Sequence, residues 1–97
     1  MEWYKIELSS DQVKAGKEGE IAKAFTRLYI EAGGQRDAAM FTSKMNPRGD
    51  CVVYLSPGAV RIAQALIAAY NATPCAAPSR DVILLVGHQD AGDELLA

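Results

Sequence analysis

His88 is the single histidine of the chain, and Asp90 stands two residues beyond it. An imidazole titrates near neutrality and a nearby carboxylate can orient it, so acid–base chemistry would be sought at this pair first. The sequence places no nucleophile beside His88, which leaves it a weak catalytic candidate. Asp93 and Glu94 could complete a set of metal ligands with the pair, but acids clustered near a chain end read more simply as a solvated face, and no metal site is expected. Cys51 and Cys75 fall short of the four ligands of structural zinc and form no C-x-x-C pair. Neither has an obvious basic neighbour to lower its pKa, so both are expected to be reduced and inert.

A second kind of chemistry is anion binding. Ser56, Gly58 and Ala59 open a helix whose free N–H groups could receive a carboxylate or phosphate, with Arg36 assisting from the preceding turn. His88 and Trp3 are expected at the same end of the sheet. Ordinary capping by Ser56 is the simpler reading of the same residues. Gly33 and Gly34 do not start a dinucleotide fingerprint, because they end a helix instead of opening one, and no cofactor is expected.

The elements that must position these groups are legible in outline. Trp3–Leu8 alternates, with Tyr4, Ile6 and Leu8 on one side and Trp3, Lys5 and Glu7 on the other, as a half-buried strand should. Ser9, Ser10 and Asp11 offer helix caps, and Ile21, Phe25, Leu28, Tyr29 and Ala32 recur at helical spacing up to Gly33. Gly16 and Gly19 suggest that 11–15 is a separate short turn. Residues 38–43 and 51–55 read as strands joined by a polar hairpin loop, and Ser56 and Pro57 then begin a helix running to about Tyr70. After a loop with Pro74 and Pro78 comes the last strand, 82–86, followed by a tail over 91–97.

The order β-α-β-β-α-β in 97 residues predicts a single α+β domain of ferredoxin-like arrangement. Its four-stranded antiparallel sheet would run in the order 4-1-3-2, with two helices on one face and the last strand beside the first. Three families share this element order. The stretch Arg48, Gly49, Asp50, Cys51, Val52, Val53, Tyr54, Leu55 resembles the third-strand signature of RNA-recognition motifs. Asp50 stands where that family has a base-stacking aromatic, and strand one offers Tyr4 on the buried side. Acylphosphatases need glycine and arginine in the turn after strand one, where this chain has Leu8, Ser9, Ser10 and Asp11, so the comparison fails. The dimeric α+β barrel enzymes are similar at the level of fold, which implies a cavity between sheet and helices with His88, Glu7 or Tyr54 as polar participants. Arg48, Gly49 and Asp50 also spell an adhesion tripeptide, taken as coincidence in an intracellular chain.

The last strand raises the question of assembly. Val82, Ile83, Leu84, Leu85 and Val86 are apolar on both faces, and Val82, Leu84 and Val86 are expected to face the helices. The helix-free face would then carry Trp3, Lys5, Glu7, Val52, Tyr54, Ile83 and Leu85, too apolar a surface to leave wet. A homodimer is expected, packed sheet to sheet or edge to edge, with Ile83, Leu85, Tyr54, Val52 and Trp3 in the interface. Leu95 and Leu96, folding back as a lid, are the alternative cover. Ten basic against twelve acidic side chains give a net charge of -2, which supplies no general attraction to nucleic acid or anionic membrane. With no apolar N-terminal leader and no run of spanning length, a cytoplasmic location is expected. The function these features suggest is a small, soluble, self-associating binding or interaction module. An enzyme or small-ligand binder with a pocket near His88 is the alternative, and an RNA-binding module the third reading.

Overall fold

Alternation decides strand β1 (Trp3–Leu8): Ile6 and Leu8 are buried and Tyr4 packs beside them, while Trp3, Lys5 and Glu7 take the other side. The computed structural model describes residues 2–43, 45–79 and 82–87, the last stretch by its backbone. Helix α1 (Ser10–Lys14) follows at once, because Ser9 forms a capping box with Gln12: its hydroxyl accepts from Gln12 N at 3.3 Å and its own N–H donates to Gln12 Oε1 at 2.9 Å. Gly16, at φ 83°, takes a left-handed conformation that separates α1 from α2 (Lys17–Glu31). Ile21 and Phe25 are the fully buried residues of α2, and Leu28 and Tyr29 pack against the same core.

Strands β2 (Ala39–Ser43) and β3 (Cys51–Leu55) form the expected hairpin, pairing Met40 with Leu55, Phe41 with Tyr54 and Thr42 with Val53. The Asn46 side chain shapes the connecting loop: its Oδ1 accepts from the N–H groups of Arg48 and Asp50 at 2.9 and 3.0 Å. Ser56 caps the next helix with Pro57 in its first turn, as predicted, but the helix is not continuous to Tyr70. It breaks at Ala63 into α3 (Pro57–Ile62) and α4 (Gln64–Tyr70). Ala63 sits at φ -120°, ψ 36°, outside helical geometry, and the Gln64 side chain donates to the Val60 carbonyl at 2.7 Å, satisfying one acceptor at the end of α3.

Two departures from the expected sheet follow from a strand in the segment that Pro74 and Pro78 predict to be loop. Asn71 ends α4 in a left-handed conformation, and Thr73–Cys75, strand β4, pairs at once with β1: Trp3 lies opposite Cys75 and Lys5 opposite Thr73. The place beside β1 predicted for 82–86 therefore belongs to β4. Val82–Gly87, strand β5, instead pairs antiparallel with β2, giving an antiparallel five-stranded sheet in the order β4-β1-β3-β2-β5. The register places Leu84 opposite Phe41 and Ile83 opposite Thr42, with an irregularity between Met40 and Phe41 that interrupts simple alternation along β5. The predicted facing of Ile83 and Leu85, and the tail over 91–97, lie outside the described residues.

Among the described residues four helices, where two were expected, share one side of this sheet. Val13 of α1, Phe25 of α2, Ala59 of α3 and Leu66 of α4 all join the core cluster built on Ile6, Leu8, Met40, Val53 and Leu55. No helix among the described residues is long and apolar enough to cross a membrane. Both Cys51 and Cys75 are free.

Candidate functional site

The face of the sheet away from this core collects the side chains on which the assembly expectation rested. Strand registers set Thr73, Lys5, Tyr54 and Phe41 in one row across β4, β1, β3 and β2, with Cys75 beside Trp3 and Val52 beside Glu7. Ala39 and Phe41 form a second, smaller cluster here, against which Trp3 and Tyr54 pack. The Trp3 and Phe41 rings lie 5.6 Å apart at 51°, a tilted arrangement that aromatic quadrupoles favour. Phe41 is 2 % exposed, whereas Trp3, Val52 and Tyr54 remain half-buried. On this face Lys5 Nζ pairs with Glu7 Oε1 at 3.1 Å, and the hydrogen bond to Glu7 raises the lysine's pKa.

Sequence reasoning named Trp3, Val52 and Tyr54 for this surface and missed Phe41, the ring on which Trp3 packs. The signal was present in 38–43, where Ala39 and Phe41 alternate with Met40 and Thr42 so that both faces are apolar. Glu7 and Tyr54, proposed as polar participants in a cavity between sheet and helices, stand on this opposite face. His88 lies outside the described residues.

The residues proposed for anion binding are engaged in holding the chain together. Ser56 Oγ accepts from Ala39 N at 2.8 Å and from Ala59 N at 3.2 Å, and donates to the Asp37 carbonyl at 2.9 Å. Gly58 lies so close to Asp37 that a Cβ there would meet its carbonyl oxygen at 2.3 Å. Arg61 pairs with the Asp37 carboxylate. Arg36 is exposed in the turn before β2. The start of α3 is thus capped by Ser56 and packed against the Asp37 segment, and Trp3 faces the other side of the sheet.

Two further polar clusters tie elements together. Asp50 accepts from Ser10 N at 2.8 Å and from Asn46 Nδ2 at 3.1 Å, with Arg48 Nε at 3.5 Å, so the carboxyl of the Arg-Gly-Asp tripeptide is turned inward to the start of α1. The Asn46 hydrogen bond, then that from Ser10 N, holds its pKa below the ordinary carboxylate value. Glu18 receives the Cys51 thiol at 3.1 Å and the Thr42 hydroxyl at 3.3 Å, joining α2 to β3 and β2. Burial, with the hydrogen bond to Glu18 second, pushes the Cys51 thiol up to about 12. Burial also raises Cys75, though Lys5 opposes the shift. Both thiols are thus shifted away from the thiolate form that a reactive cysteine needs.

On the helical side, Ala24 and Leu28 of α2 and Ala65, Leu66 and Ala69 of α4 line an open groove of about 340 Å³, with Arg27 and Glu31 also along it. Among the described residues no three His, Cys, Asp or Glu side chains converge in a way that could hold a metal ion. Comparison with protein-family models, with curated proteins and with solved structures found no match to this chain.

Proposed function

We propose that this chain is a small cytoplasmic binding module that self-associates, forming a homodimer through the helix-free face of its sheet. The observation that supports the reading best is the half-exposed apolar group Trp3, Val52 and Tyr54, set around the buried Phe41 on a face that none of the described helices covers. Full burial of a large apolar side chain is worth roughly 1.5 to 3 kcal/mol relative to exposure, so three half-buried ones offer a partner about half that each, before the cost of association. Packing face to face also suits the edges. β4 is three residues long and carries Pro74, which has no N–H to offer, so it is a poor template for strand addition.

The second mode of assembly is edge to edge along β5, the outer strand beside β2, whose sequence Val82, Ile83, Leu84, Leu85 and Val86 carries no charge. In fold terms we take β1, β2, β3 and β4 with their helices as a ferredoxin-like unit, to which β5 adds a fifth strand. Sedimentation velocity through the micromolar range tests the assembly. Wild type is expected to dimerise, and Tyr54→Lys to shift it to monomer. A monomeric wild type sinks the proposal, and a Tyr54→Lys variant that stays dimeric transfers the interface to the β5 edge.

A further inference from the structure

We draw no further inference here: the strongest candidate, the open groove between α2 and α4 lined by Ala24, Leu28, Ala65, Leu66 and Ala69, is an unpartnered apolar surface of mostly small residues, and nothing in the structure shows what covers it.

Discussion

A side chain larger than hydrogen has no room at position 58, where a Cβ would lie 2.3 Å from the carbonyl oxygen of Asp37 and 2.5 Å from its carbonyl carbon. The obstacle is backbone, and it is held in place: that carbonyl accepts from Ser56, and the Asp37 carboxylate pairs with Arg61. Gly58→Ala should therefore cost about 1 to 3 kcal/mol, as overpacking does, and lower the urea midpoint without changing the slope. Asp50 makes a different prediction because its contribution titrates. Its folded pKa lies below the unfolded value of 3.8, so the stabilisation is complete above that value and is lost as pH falls through the folded pKa. Asp50→Asn is expected to be less stable than wild type at neutral pH, with the gap closing below about pH 4. Denaturation curves at a series of pH values check this, and a gap independent of pH would show that the charge is not what matters. Neither partnership was visible in the sequence. Asp50 was read as part of a tripeptide and Gly58 as a helix-start glycine, since their partners Ser10 and Asp37 lie 40 and 21 positions away and only the folded chain brings them together.

Ser56 shows how one element boundary fixes others. Its hydroxyl caps α3 and also satisfies the buried N–H of Ala39 at the start of β2. Ser56→Ala loses a cap worth roughly 1 kcal/mol and leaves a buried donor without its side-chain partner, which costs about 1 to 3 kcal/mol more. A combined loss of about 2 to 4 kcal/mol in chemical denaturation is expected, and a loss under 1 kcal/mol would mean that Ala39 N finds another acceptor. The cap itself was legible, because serine before proline is a local signal. So were β1 and β3, where alternation and flanking turn residues agree. What was not legible has physical reasons. β4 is short and contains proline, which argues for loop in any local reading, and it is a strand because the left-handed Asn71 returns the chain directly to the free edge of β1. Once that edge was taken, β5 paired with β2 instead, a competition between edges that no local pattern records. The break at Ala63 likewise has no glycine or proline to announce it, and the Gln64 side chain bonding to Val60 was hidden within an ordinary helical run.

At the scale of the whole molecule the two faces of the sheet are unlike. One is closed by four helices, and the other holds a single ring buried among half-covered neighbours. The two cysteines divide between these faces and so can report on them separately. Cys51 is 2 % exposed on the helix side with a pKa pushed up to about 12, so at pH 8 only about one in ten thousand of its thiols would be ionised. Cys75 is half-buried, opposite Trp3, on the face proposed to pair. A thiol reagent should therefore label one cysteine per native chain, and Cys75→Ser should abolish that labelling until the protein unfolds. If two copies close over the helix-free face, the labelling rate of Cys75 should fall as protein concentration rises through the dissociation constant. The same change should appear in the emission of Trp3, the chain's only tryptophan, and Tyr54→Lys should flatten both concentration dependences. A dimer by sedimentation whose Cys75 labels at the same rate at every concentration would mean that the partner sits elsewhere, with the β5 edge next in line, because covering Trp3 and its neighbours cannot leave the adjacent thiol equally open.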